Sequence, residues 1–338
     1  MIHNIKNKIL QQGAMIRLKE SMQSDLCYYG NCSDKPILSH SIQKALLRAT
    51  IGSSGTVYTL TPSDVARNIS QGEINCFEKH SLNDAGVFTG FCGDNGKAHD
   101  TKLFTGLENM TLLHQISIEK YVFLYAYRSL VYQLWLETSL QSKSHSKSSD
   151  FLSKNSKIAN KDIEIFNQLM SQIEGLVAES TYNLDMYREM QSYFEKYLNE
   201  DGDIANNFSD DFLIHFELCE SFKSLEFLGV GAKKFLGNYP VVYGLLPQNG
   251  NKPSVFFVVA HRFDIDDFII FKKFLCINKY HTIENMIALS GNLMMSEFLY
   301  EKLKSTGELK KLEDFINPQI GVAYSSDNII KSQGFSLF

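Results

Sequence analysis

The sequence predicts an α+β protein: an amino-terminal part built around cysteine and histidine pairs, then long helices, then a carboxy-terminal α+β domain with an antiparallel sheet. Three observations carry this expectation. Cys27 and Cys32 in CYYGNC, and Cys92 and His99 in FCGDNGKAHD, form two close pairs of metal-ligating side chains. Apolar residues recur at helical spacing over 111–138 and 162–199. From Asp211 onward, short β-prone runs are separated by Gly, Pro and Asn.

The first element is a short helix over Asn7–Ser21, followed by the cysteine and histidine region from Asp25 to Glu108. A long helix over Thr111–Thr138 comes next. Its stripe of Tyr121, Tyr125, Tyr132 and Trp135, with Arg128 between them, repeats at three- and four-residue steps and is read as core packing. The same helix, broken by Arg128 and Gln133, falls short of the roughly 20 apolar residues that span a bilayer, so no membrane partner is expected.

The segment 141–161, QSKSHSKSSDFLSKNSKIANK, has the composition of a linker or loop and divides the chain into parts 1–140 and 162–338. With 338 residues, two domains are affordable. Beyond the linker, Asp162–Asn199 reads as one long helix, or two with a break near Thr181. The runs FLIHFELC, SLEFLGVG, PVVYGLL and SVFFVVAHRF are the strands, and PQNGNKP is the clearest turn. Helices return with DIDDFIIFKKFL, opened by acidic residues, and with SEFLYEKLKSTG, closed by lysines and glycine.

Composition excludes some functions. A formal charge of -5 carries no global basic signature, so nucleic-acid contact would need a local patch. No GxxxxGK[ST] or GxGxxG follows a strand, which argues against a nucleotide-binding fold, and GVGAKKF at 229–235 is read as a turn. The first twenty residues lack the apolar core and cleavage site of a secretory signal, so a cytoplasmic location is expected. In that reducing setting paired cysteines favour metal over disulfides, whereas Cys219 and Cys276, in apolar sequence, read as buried small hydrophobes.

Zinc takes four sulfur or nitrogen ligands, and two separated pairs close a tetrahedron around it. Cys27, Cys32, Cys92 and His99 supply such a set, with Gly93 and Gly96 letting the wide second pair bulge. His80, four residues after Cys76, is the rival fourth ligand, although Glu78, Lys79 and Asn83 make its surroundings read as a solvated loop. In the second half His215, His261 and Asp264 fall near strand ends, where acid/base or anion-binding chemistry is the lesser reading.

The order CYYGNC, SHSIQKALL, GFC and then HD with LF resembles the zinc-stabilised, treble-clef form of the HNH or ββα-metal endonucleases over about residues 25–110. That resemblance implies a metal-dependent nuclease, DNA being favoured, with His40 as general base, Asp100 holding a catalytic Mg2+ or Mn2+, and Lys44 contacting phosphate. Proteins of similar layout act in prokaryotic antiphage defence, which implies a partner protein or self-assembly into a homo-oligomer. The chain departs from the family pattern at Ser39, where aspartate is frequent, at Asp100, where a final histidine is frequent, and in GVFTGFC, which lacks an asparagine. The alternative is a noncatalytic zinc module that supports nucleic-acid or protein binding and needs only the four zinc ligands.

Overall fold

A computed structural model of the chain describes residues 26–61, 64, 77–93, 98–108, 117–154, 184–219, 225–247, 253–316 and 326–338. The helix expected over Asn7–Ser21, Cys76, the turn around Asn249 and most of the helical run expected from Asp162 lie outside the described residues. In chain order come β1 (Pro36–His40), α1 (Lys44–Ala49), β2 (Thr56–Thr59), β3 (Glu78–Ser81), β4 (Val87–Cys92), α2 (His99–Glu108) and α3 (Ile118–Lys154). A helix over 184–195, α4, precedes β5 (Phe212–Cys219), β6 (Phe227–Lys233), β7 (Val241–Leu246) and β8 (Ser254–His261). The chain closes with α5 (Ile265–Ala288), β9 (Met294–Met295), α6 (Glu297–Thr306), α7 (Glu308–Ile316) and α8 (Ser326–Ile330).

The fold is α+β, and all strand pairs named here are antiparallel. The four strands expected after Asp211 form as β5 to β8, and they adjoin one another in a seven-stranded sheet of order β3-β2-β9-β6-β7-β8-β5. β1 and β4 pair separately, Pro36 opposite Cys92 at one end and His40 opposite Val87 at the other.

The larger sheet crosses the expected division of the chain. The two-residue strand β9 pairs with β2 on one side and β6 on the other, so segments from both sides of 141–161 share one sheet. Thr59 reinforces the junction by donating its hydroxyl to the Leu293 carbonyl at 2.8 Å. The linker expectation also meets a helix, because α3 continues to Lys154. The physical reason lies in its sequence: no Gly or Pro occurs between Ile118 and Lys154, so serines and lysines alone do not end the helix.

Both faces of the sheet are covered. Phe212 of β5 packs on Phe123 of α3, with ring centroids 5.5 Å apart, while His215, on the opposite face of the same strand, packs on Phe268 of α5 at 6.4 Å. This explains why β7 and β8 are buried along their whole length instead of alternating. Gly229 and Gly231, read as part of a turn, instead lie within β6. A Cβ at either would come within 2.9 Å of Ile287 or Ser290, so the residues after α5 cross the sheet only because both positions lack side chains.

α3 is the central post. Every residue from Tyr121 to Trp135 is buried, as a helix enclosed on all sides requires, and each large apolar side chain so placed contributes about 1.5–3 kcal/mol. The aromatic stripe is therefore core, as its spacing suggests. α3 touches β4 and α2 on one side and β6, β7 and β8 on the other, so it joins the β1–β4 pair to the large sheet. Cys219 is buried as expected, but Cys276 is exposed: the run FIIFKKFLCIN is helical, and its period turns Cys276 outward while Phe271 and Leu275 face the core.

The turn after α4 packs tightly on α2. Gly202 has φ of +80°, and a Cβ there would lie 2.6 Å from the carbonyl oxygens of Lys102 and Leu103. Gly202→Ala should therefore cost about 1–3 kcal/mol of unfolding free energy in urea titration. A loss below a few tenths would show that this backbone contact is absent.

Candidate metal centre and a separate cavity

The metal centre is assembled from three chain segments. Cys27 and Cys32 lie in a tight turn before β1, where Gly30 takes φ of +50° and the Cys32 amide donates to the Tyr29 carbonyl at 3.1 Å. Cys92 ends β4, and His99 opens α2. Ala98, just before His99, has φ of +55°, an uncommon conformation for a residue with a Cβ, and its carbonyl begins the helix by accepting from Lys102 at 2.9 Å.

The four ligand atoms all lie within 4.8 Å of one another. Cys32 Sγ is 4.0 Å from Cys92 Sγ, and His99 Nδ1 is 3.4 Å from Cys27 Sγ and 3.3 Å from Cys92 Sγ. A tetrahedral zinc ion with bonds of roughly 2.3 Å to sulfur and 2.0–2.1 Å to nitrogen needs separations of about 3.8 and 3.6 Å. The residues fit: this Cys3His cluster could hold a metal ion such as zinc.

Burial holds the Cys27 and Cys32 thiols in their neutral form. Burial pushes the Cys27 thiol up to about 12, and burial also raises that of Cys32, so these groups stay protonated unless a metal displaces the protons. Around the cluster, the Tyr29 ring packs on His99 with centroids 4.5 Å apart, and its hydroxyl donates to the Leu198 carbonyl at 2.8 Å. Glu195 of α4 accepts from the Gly30 amide at 3.1 Å and from the Tyr127 hydroxyl at 2.7 Å, tying the cysteine turn to α3 and α4.

His80 is not part of the cluster. Its stretch forms β3 instead of a solvated loop, because Glu78–Ser81 pairs residue by residue with β2, and its Nε2 is 2.7 Å from Asp64 Oδ2. His40 ends β1, with Nε2 3.0 Å from the Leu82 carbonyl. Asp100 follows the metal ligand His99, and its Oδ1 accepts from the buried Arg128 guanidinium at 3.4 Å; that guanidinium also lies over the Phe104 ring, 4.4 Å from its centroid. His40 and Asp100 are not brought together. His40 stands four strand residues, about 13 Å, from the end of the β1–β4 pair where Pro36 faces Cys92 and the metal ligands gather. Lys44 opens α1 and donates to Asn83.

The candidates of the second half serve the fold. Asp264 accepts from the amides of Asn238 and Tyr239 at 2.8 and 2.7 Å, and His261 Nδ1 accepts from the Phe263 amide at 3.3 Å. His215 bonds Glu217, two residues along the same strand β5, at 3.0 Å. Burial lowers both histidines below their ordinary range.

A cavity of about 390 Å3, which the motifs do not announce, opens between β1, β3, β4 and α3. Asp64 and His80 form one side, and Phe88, Tyr132 and Trp135 another. Asp64 is almost wholly buried, and the Thr61 amide and hydroxyl donate to its Oδ2 at 2.8 and 2.6 Å. Burial alone would raise the Asp64 carboxyl, but the bonds from His80 and Thr61 outweigh it and hold the group below its ordinary 3.8. The bond to Asp64 raises His80 above 6.5, against the opposing effect of burial.

The signs fix a stability window. The raised histidine contributes fully below 6.5, and its contribution is lost as pH rises through the folded value; the depressed carboxyl contributes above 3.8, and its contribution is lost as pH falls through its own. The unfolding free-energy gap between the wild type and His80→Gln should thus be widest between 3.8 and 6.5 and narrow at alkaline pH, as read from urea titrations across pH. A gap that grows with pH would contradict the ion pair.

Among the described residues, no helix is long and apolar enough to cross a membrane. No protein-family model, curated protein or solved structure matches this chain.

Proposed function

We propose that Cys27, Cys32, Cys92 and His99 hold a structural zinc ion and that the chain is a noncatalytic, zinc-stabilised binding module. The observation that carries this reading is the closed ligand set: four protein donors converge within 4.8 Å, so a tetrahedral ion there has no position left for water or substrate. A catalytic zinc keeps such a position open. The ion would staple the cysteine turn, the end of β4 and the start of α2 to one another.

A second reading, the metal-dependent nuclease, is favoured by the order of cysteine turn, strand pair and helix, with the last ligand in the first turn of α2. In that reading His40 activates water and Asp100 holds Mg2+ or Mn2+. Two observations weigh against it. His40 and Asp100 belong to opposite ends of the β1–β4 pair, and the Asp100 carboxylate already neutralises the buried Arg128, which a divalent cation would have to displace. The zinc module uses only the four clustered ligands.

Two measurements on the full chain separate these readings. Elemental analysis should find one zinc per chain, lost in Cys92→Ser, and chelation should lower the melting temperature by several degrees. Plasmid and single-stranded DNA should remain intact with Mg2+ or Mn2+. Cleavage by the wild type that disappears in both His40→Ala and Asp100→Asn, each verified as folded and zinc-loaded, would overturn the noncatalytic reading. Asparagine is chosen at 100 because it retains a hydrogen-bond acceptor for Arg128.

A further inference from the structure

One edge of the large sheet carries a strand that no other strand pairs on its outer side among the described residues. In the order β3-β2-β9-β6-β7-β8-β5, β5 comes last, is eight residues long and pairs only with β8. β7 and β8 are buried throughout, whereas Leu213 to Glu217 of β5 are half-buried and Leu218 is 42% exposed. Because α3 and α5 cover the two faces of the sheet, this exposure lies along the edge.

The pairing with β8 decides which backbone groups face outward. The Arg262 amide donates to the Asp211 carbonyl at 2.7 Å, and the register then runs without a bulge from Phe212 opposite His261 to Cys219 opposite Ser254. Hydrogen-bonded pairs alternate along an antiparallel ladder, so Leu213, His215 and Glu217 turn their N–H and C=O to β8, while Ile214, Phe216 and Leu218 turn theirs outward. Lys279 of α5 reaches the outward Leu218 carbonyl at 3.4 Å, which leaves that oxygen a second lone pair. Soluble proteins blunt such edges with Pro, Lys, a bulge or a very short strand. FLIHFELC contains neither Pro nor Lys, and it pairs without a bulge over its whole length.

We propose that β5 pairs antiparallel with β5 of a second copy of this chain about a two-fold axis, joining the two large sheets edge to edge. Outward-facing residues must then face one another as hydrogen-bonded pairs, which limits the register. Centred on Phe216, the pairing sets that residue against the partner's Phe216 and Ile214 against the partner's Leu218, apolar on apolar. On the α5 face it sets His215 against the partner's Glu217 and Leu213 against the partner's Cys219. Neighbouring registers lose this match. Centring on His215 sets it against the partner's His215, centring on Glu217 sets it against the partner's Glu217, and centring on Ile214 sets Glu217 against the partner's Asp211. Opposite charges directly across a strand pair stabilise it and like charges destabilise it, so the sequence of β5 complements itself about Phe216. This interface lies beyond the zinc reading and does not rest on it.

Sedimentation velocity on the full chain should show a dimer at about 100 μM. Leu218→Pro removes an outward N–H and none that β8 uses, so it should raise the dimer dissociation constant at least about tenfold with unchanged circular dichroism, whereas Leu218→Val should leave it unchanged. His215→Glu and Glu217→Lys each remove the opposite-charge pair, and each should weaken the dimer about tenfold. An equimolar mixture of those two variants sets opposite charges across the axis again and should restore the dimer. The mixture decides the matter if Leu218→Pro fails to fold. A chain that stays monomeric at about 100 μM, a dimer unaffected by Leu218→Pro and by both charge variants, or a mixture that remains dissociated would overturn the proposal. Zinc analysis on the same samples keeps the two readings apart: a zinc-free, folded dimer would sink the metal reading alone, and a zinc-loaded monomer would sink the dimer alone.

Discussion

The convergence of three thiols and one imidazole is the interaction on which the amino-terminal half depends. Buried thiols at Cys27 and Cys92, together with the half-buried Cys32, bring little packing energy for the space they occupy, and burial holds the Cys27 proton firmly. A metal ion held there would change this balance, since displaced protons would be replaced by strong bonds that exist only when all three segments are in place. The cysteine turn, the end of β4 and the first turn of α2 are then fixed relative to one another. The left-handed residues Gly30 and Ala98 sit at the two places where the chain must bend sharply to present a ligand.

That fixed corner rests on α3. Tyr127 and Arg128 of this helix reach the metal side through Glu195 and Asp100, whereas one to two turns later the buried Tyr132 and Trp135 reach the lining of the cavity. Trp135 donates its indole N–H to the Thr89 hydroxyl of β4 at 3.1 Å, and the Tyr125 hydroxyl donates to Gln43 at 2.9 Å. Polar tips on otherwise apolar side chains thus set the register of the helix against the strand pair. One rigid element thereby positions both the metal cluster and the cavity, at opposite ends of β4.

Local patterns made part of this architecture legible. The two Cys/His pairs announced the cluster because metal chemistry demands those side chains, and the four strands from Phe212 to His261 announced themselves by short apolar runs between turn residues. What stayed hidden was long-range. β9 is two residues long and leaves no pattern, yet it joins β2 to β6 and so merges the two halves into one sheet. Gly229 and Gly231 looked like a turn because the crossing segment near Ser290 that excludes a side chain is some sixty residues away. The separation of His40 from Asp100 follows from strand register, and the cavity gathers residues from Leu38 to Asn292; no motif encodes either. The sequence already set His99 ahead of its rival His80, and the clustering of His99 with the three cysteines and the pairing of His80 with Asp64 agree with that order.

The account stands most directly on the coordination of the metal, which X-ray absorption at the zinc edge of the purified full chain measures. The expected result is a four-coordinate shell of three sulfurs at about 2.3 Å and one nitrogen at about 2.0–2.1 Å, with one sulfur lost in Cys32→Ser. A shell dominated by oxygen, or a chain that folds with no zinc bound, would contradict it.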